Sequence, residues 1–318
     1  MFRIYEKSSY GLTELDDNSV HAIITDPPYG INLEEWDTLP DNKIWQDSFR
    51  VLKPGGFLLC FSSIKFQHVF TQNLLNAGFE FKDVLLWAYL NGRVPPINLD
   101  QKVDNLLGNS REVIGEYNYI QGSPNSNKKD TYTTKNSKTK ASEDSEKWVG
   151  FGTGLKTAYE PIIMVQKPLE KSLAENVLKY HVGALNIDDT RIPFADGETD
   201  VGHNPHPLGR VMSNIIQTDS FGDFEKYFKI QEEEIDHFLF YSKVRDGKKT
   251  GNIHPTKKPV QLMKQLIKLV SLENQIILDP FMGSGSTGVA ALNLNREFIG
   301  YEKIHEYFEI SKIRLEKP

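Results

Sequence analysis

The octet Ile23-Ile24-Thr25-Asp26-Pro27-Pro28-Tyr29-Gly30 joins a short apolar run to a carboxylate, two prolines and an aromatic ring. The apolar run predicts a buried strand. Each proline fixes its own φ, and Pro28 also holds Pro27 extended, so the turn is stiff. Asp26 then presents an acceptor oxygen in a fixed place, with the Pro27 carbonyl beside it, and Tyr29 offers a flat apolar face. Two acceptors and a stacking ring suit a planar group bearing an exocyclic amine, such as the N6 amine of adenine or the N4 amine of cytosine. Asp26, Pro27, Pro28 and Tyr29 are the catalytic candidates. The alternative is an ordinary strand-to-loop turn, since Asp and Pro are common there.

A second constellation lies far along the chain. Asp279-Pro280-Phe281-Met282-Gly283-Ser284-Gly285-Ser286-Thr287-Gly288 follows a predicted strand and opens a predicted helix. Glycines let a ligand approach the backbone closely, and a helix N-terminus adds free amides. Nineteen positions after Gly283, at the end of the next strand, stands Glu302, which suits both hydroxyls of a ribose. The pairing points to an adenosine-containing cofactor. No Lys follows the glycines, which argues against a phosphate-cradling loop. A dinucleotide is the competitor, but the loop comes near the C-terminus and nothing in the chain suggests hydride chemistry. S-adenosylmethionine has the same ribose and needs no pyrophosphate site.

The elements that carry these residues read as alternating strands and helices. Strands are predicted at Phe2–Tyr5, Val20–Thr25, Phe57–Phe61, Phe79–Leu90, Pro161–Gln166, Phe238–Tyr241, Gln275–Leu278 and Glu297–Tyr301. Helices are predicted at Tyr10–Leu15, Lys43–Leu52, Lys65–Ala77, Val260–Val270, after Gly285 to about Leu294, and from His305. Such alternation implies an α/β fold with a mostly parallel, doubly wound sheet. Residues 91–150 lack periodicity. Their centre, Gly122 to Glu146, is rich in Ser, Asn, Thr and Lys, which predicts a flexible polar insertion, with a lysine-bearing loop that orders on phosphates as the functional alternative.

Bulk properties narrow the classes. The 318 residues carry a net charge of -6 and a pI near 5.8, which argues against a generic basic nucleic-acid coat and requires any basic surface to be local. No apolar run reaches the roughly 18 residues of a membrane span, and the N-terminus has no apolar signal region, so a cytoplasmic protein is expected. The single cysteine, Cys60, lies in an apolar strand and is expected buried. It is a poor nucleophile for methylation at a pyrimidine carbon. His203 and His206 lack a third ligand at suitable spacing, so no metal is expected. Trp36 follows the first motif in a polar loop.

These residues together resemble the permuted beta group of DNA amino-methyltransferases. In that family a D-P-P-Y motif precedes a variable target-recognition region, followed by H-P-T-x-K-P and D-P-F-x-G-S-G-x-T. This sequence carries Asp26 to Tyr29, His254 to Pro259 and Asp279 to Thr287 in that order, and Glu302 falls on the family's ribose-binding acid. The stretches Thr157–Ile162 and Gly183–Ile187 look like members found on phages and mobile elements. The resemblance covers roughly 1–90, 151–170 and 250–318.

The resemblance implies a Rossmann-like class I fold in permuted motif order. Residues 1–90 would form the first part of the catalytic domain, 91–150 an insertion, 151–170 a catalytic strand, 171–250 the target-recognition region and 251–318 the cofactor-binding part. It implies S-adenosylmethionine as cofactor, held by Asp279, Pro280, Phe281, Gly283, Ser284, Gly285, Ser286, Thr287 and Glu302, with Thr256 and Lys258 added from H-P-T-x-K-P. The implied reaction is methylation of adenine N6 in DNA on a flipped-out base. Cytosine N4 is the alternative, and an inactive DNA-binding relative, a protein glutamine methyltransferase or an oxidoreductase are further ones. The implied partners are DNA, a restriction endonuclease and a second copy of the chain, with no membrane. One departure is Glu6-Lys7-Ser8, where members often carry Gly-Asp after the first strand.

Overall fold

In the computed structural model, residues 1–31, 35–89, 98–121, 132–155, 157–194, 206–217 and 257–318 are described. They fall into two units, Met1–Asn91 with Ala158–Pro318, and Gly92–Thr157. The strands are β1 (Phe2–Glu6), β2 (Val20–Thr25), β3 (Leu52–Phe61), β4 (Glu80–Ala88), β5 (Val113–Gln121), β6 (Tyr132–Thr139), β7 (Tyr159–Gln166), β8 (Ile215–Gln217), β9 (Ile276–Asp279) and β10 (Glu297–Glu302). The helices are α1 (Asn42–Val51), α2 (Gln67–Asn76), α3 (Leu99–Leu107), α4 (Leu173–Tyr180), α5 (Val260–Val270), α6 (Ser286–Asn293) and α7 (His305–Glu316).

The first unit is built on an eight-stranded sheet in the order β1-β10-β9-β2-β3-β7-β4-β8. Every strand runs parallel except β7, which is antiparallel to both β3 and β4. Both faces are covered, which is why the strands read as continuous apolar runs. Along β2, Ala22 and Ile24 point into one cluster with Leu262, Leu266 and Leu269 of α5. Ile23 between them points the other way, to Trp45 of α1 and Phe70 and Leu74 of α2. The chain winds outward through β10 on one side of the β9–β2 boundary and through β3 on the other. That boundary is the switch point, where ligands bind outside the carboxyl ends of the strands. This is the Rossmann-like, doubly wound α/β fold that the sequence predicts.

At the opposite edge, His21 of β2 ties the sheet together. The Ile276 N–H donates to its Nδ1 at 3.1 Å, and Lys53 Nζ lies 2.6 Å from Nε2. Burial, then the Lys53 ammonium and His181, holds the imidazole down to about 4. The unfolded chain, with His near 6.5, binds the proton more tightly between those values, so stability from this group rises with pH across that window and is lost as pH falls toward 4. Because His21 is only half-buried, the loss is about 1–2 kcal/mol. Urea unfolding from pH 4 to 7 of the wild type and of His21→Gln reads it as the difference between the two curves, which rises with pH.

Two local expectations change. Tyr10–Leu15 is a run of turns and not a helix: Gly11 and Leu12 take positive φ (88° and 39°), and Arg50 donates to the carbonyls of Gly11, Leu12 and Leu15. The stretch Lys53-Pro54-Gly55-Gly56 ends α1 as expected, yet is itself the start of β3. Residues 91–150, expected as a flexible polar insertion, lie mostly in the second unit. There the described residues form α3 and an antiparallel β5–β6 pair. Buried Asp104 accepts from Arg111 at 2.6 Å, from the Asn109 side chain and from Ser142, and Arg111 also reaches Asp100. A polar network does the ordering there, which apolar periodicity cannot signal.

Of residues 171–250, the described parts pack in the first unit. Helix α4 starts with a Ser172–Glu175 capping box, and Asn176 donates to the carbonyls of Pro54 and Val182. The strand expected at 238–241, His203 and Thr256 lie outside the described residues. Cys60 is buried, as expected. Among the described residues no helix is long and apolar enough to cross a membrane.

Candidate active site

Strand β2 ends at Thr25 and hands the chain to Asp26, Pro27, Pro28 and Tyr29. The turn beyond is held by Asp37, a buried carboxylate that accepts from three consecutive backbone N–H groups: Tyr29 at 2.8 Å, Gly30 at 3.0 Å and Ile31 at 3.1 Å. Three amides on one carboxylate fix the direction in which the Tyr29 side chain leaves the turn. The Tyr29 hydroxyl donates to Asp26 Oδ1 at 2.6 Å, and its ring meets Phe70 edge-on. Burial, then the negative charges of Asp26 and Glu160, raises the Tyr29 pKa well above its ordinary value, so the hydroxyl stays protonated.

Strand β9 ends at Asp279, whose carboxylate is buried. It accepts from Thr25 Oγ1 at 2.7 Å, from Thr287 Oγ1 at 2.6 Å and from the Phe281 N–H at 3.0 Å. Burial pushes it up to about 6, against the pull of these donors. It is a clamp: Thr25 immediately precedes Asp26, Thr287 lies in the first turn of α6, and Phe281 lies in the loop between. The glycine loop needs its glycines. Gly283 and Gly285 have φ of 51° and 81°, and a Cβ on Gly285 would come within 3.1 Å of Ser311. Arg314 from α7 donates to the Ser284 carbonyl and to the hydroxyls of Ser284 and Ser286, bracing the loop from behind. Glu302, at the end of β10, accepts from the Gly283 N–H at 3.1 Å and the Ile304 N–H at 2.7 Å. Burial raises its pKa, and these backbone donors take back only part of the rise.

The two constellations open on one cavity of about 380 Å³. Asp26, Pro27, Pro28 and Tyr29 line it, together with Asp279, Pro280, Phe281, Gly283, Ser284, Ser286, Thr287 and Glu302. Gly285 stands behind it as the residue before α6. Lys258 also lines it, but its ammonium is 2.6 Å from Asp26 Oδ2 and 3.3 Å from Glu160 Oε2, on the Asp26 side. Burial alone would lower the Lys258 pKa; the two carboxylates overturn that and hold it above its ordinary value. Trp36 and Tyr307 meet edge-on at the cavity wall. Glu6 pairs with His305 at 2.8 Å on the exposed surface and is not among the lining residues.

The cavity suits an adenosine-bearing sulfonium. A half-buried carboxylate at the end of β10, a loop whose glycines let a ligand approach the backbone, and the Asp26 carboxylate open on the same space, which has the donors and acceptors that such a molecule and an amine beside it need. Sequence reading missed two members. Glu160 comes from the start of β7, and only an antiparallel strand brings its first residues to the carboxyl edge of a parallel sheet. Asp37 acts on backbone amides six to eight positions back, a spacing with no motif. Neither leaves a local signal.

A family model described as DNA methylase, of N6 and N4 methyltransferase type, matches residues 20–313. The chain is 29% identical to the type II methyltransferase M.HindIII of Haemophilus influenzae, over 98% of this chain and 94% of that one. It is 23% identical to the type II methyltransferase M.HpaI of Haemophilus parainfluenzae, over 96% of this chain and 71% of that one. Among solved structures, the PvuII DNA methyltransferase, described as cytosine-N4-specific, matches with a TM-score of 0.52 at 15% identity, covering 98% of this chain and 86% of that one; this likeness concerns the fold.

Proposed function

The chain belongs to the DNA methylase family, and from that premise we propose that it methylates the N6 amine of adenine in DNA, on a base turned out of the duplex. S-adenosylmethionine is the family's methyl donor and supplies, when bound, an electrophilic methyl group. The single observation that carries the reading is that Asp26 and the Gly283–Glu302 constellation line one cavity. The order of the motifs, D-P-P-Y before the glycine loop, favours the permuted beta group.

Each residue then has a task. Glu302 receives the ribose hydroxyls, and the amides of the Gly283–Ser286 loop approach the rest of the cofactor. Tyr29 stacks on the base. Asp26 and the Pro27 carbonyl accept the two amine hydrogens, which turns the nitrogen lone pair toward the cofactor side of the cavity; Asp26 is also placed to take the amine proton. Orientation of this kind supplies much of a rate enhancement. An amine inside the duplex cannot reach such a pocket, hence the flipped base.

Adenine is favoured over cytosine by the leading Asp26. The test is nucleoside mass spectrometry of DNA treated with the protein and S-adenosylmethionine. N6-methyladenine is the expected product. N4-methylcytosine alone would reassign the base, and absence of both would overturn the reading.

A further inference from the structure

The cavity holds more charge than amine binding uses. Two carboxylates and one ammonium meet there with little solvent: the side chains of Lys258, Glu160 and Asp26 are 8%, 14% and 18% exposed. Lys258 Nζ touches Asp26 Oδ2 at 2.6 Å, stands 3.3 Å from Glu160 Oε2 and 3.4 Å from the Tyr29 hydroxyl, and lies over the rings of Tyr29 and Phe61. A nitrogen donor on Asp26, against the Tyr29 ring, has the partners that the reaction requires of the acceptor amine. The other Asp26 oxygen already accepts from Tyr29 at 2.6 Å. An incoming base therefore contends with Lys258 for the same carboxylate.

Pulling an ammonium off a buried carboxylate with no replacement is strongly unfavourable. Glu160 is the replacement. Its register on β7, opposite Trp87 of β4, puts a second carboxylate beside the ammonium. We propose that Lys258 stands in for the acceptor amine until the base arrives and then moves its pairing to Glu160, so that Glu160 is a positioning residue for the transfer. This rests on the amine-transfer reading above. It also gives the second carboxylate a purpose: with Asp26 alone, the base would have to expel an unpaired cation.

The test is steady-state methylation of DNA by the wild type, E160Q, K258M and E160Q/K258M, with cofactor affinity measured separately by calorimetry without DNA. In E160Q the ammonium keeps only Asp26, and KM for DNA rises about tenfold, more than kcat falls, while cofactor affinity stays within about twofold. Glu160 matters only while Lys258 is present, so adding E160Q to K258M changes KM by less than about twofold. E160D, which keeps the charge, stays within about threefold of the wild-type KM. Equal rises in E160D and E160Q, an unchanged KM in E160Q, or a tenfold effect of E160Q in the K258M background would each overturn the proposal. Should E160Q melt below the assay temperature, the comparison in the K258M background decides. If the wild type itself transfers no methyl group, the amine-transfer reading fails, and the role of Glu160 falls with it; an active wild type with an indifferent Glu160 removes the role alone.

Discussion

Asp26→Ala lowers methyl transfer about 10²–10³-fold while cofactor affinity changes by less than about threefold. On the proposed reading the loss is large because Asp26 is the acceptor for the amine: one of its oxygens is held by Tyr29 and the other faces the Lys258 ammonium and the amine that replaces it. Without it the amine keeps only the Pro27 carbonyl, and its lone pair is no longer directed. Cofactor affinity is spared because Glu302 and the glycine loop hold each other through the Gly283 N–H, independently of Asp26. Lys258 keeps Glu160 as counter-ion, so the variant is expected to stay folded, which a melting curve checks. Asp26→Asn, with one carbonyl oxygen able to accept, falls between the two. Transfer within threefold of the wild type by Asp26→Ala would remove Asp26 from the reaction.

Asp279→Ala acts on a different quantity. It strips the shared acceptor from Thr25, Thr287 and the Phe281 N–H, all at a buried point. A buried donor left unsatisfied costs about 1–3 kcal/mol; relief of the buried carboxylate's own desolvation offsets part, leaving about 2–4 kcal/mol. The melting temperature falls by about 4–8 °C, and cofactor affinity by about tenfold or more, because the loop is no longer tied to β2. Its pH dependence is distinctive. The native carboxyl is pushed up to about 6, above the roughly 3.9 of an unfolded Asp, so the native state holds the proton more tightly. Stability from this group is therefore full below about 4 and declines as pH rises through 6. Asp279→Asn removes that decline. His21 titrates across an overlapping window with the opposite sign. In the wild-type curve the two contributions partly cancel, and each variant exposes the other group.

The parts of the site that could be read from the sequence are those tied to strand ends. Asp26, Asp279 and Glu302 each follow or close an apolar run, and a parallel sheet brings such positions to one edge. Their convergence across 250 residues follows from the strand order alone, with β2 beside β9. Glu160 obeys the reverse rule, and nothing in Tyr159–Gln166 announces that this strand runs backward. Asp37 is one acid in a polar loop. Thr25 reads as the last position of an apolar strand and is one of the three donors in the Asp279 clamp. Helix α3 leaves little apolar signal for a related reason: it carries a single buried residue, Asp104, which pairs with Arg111, and a hydrophobic pattern does not record charge pairing.

The three amides gathered on Asp37 bear on how the protein behaves in salt. Contacts to DNA phosphates weaken steeply as ionic strength rises, because each releases condensed counterions. A 4% exposed carboxylate held by neighbouring amide dipoles is largely beyond the reach of that screening. Rising salt would then detach the polymer and leave the turn that carries Tyr29 standing, ready for the next encounter.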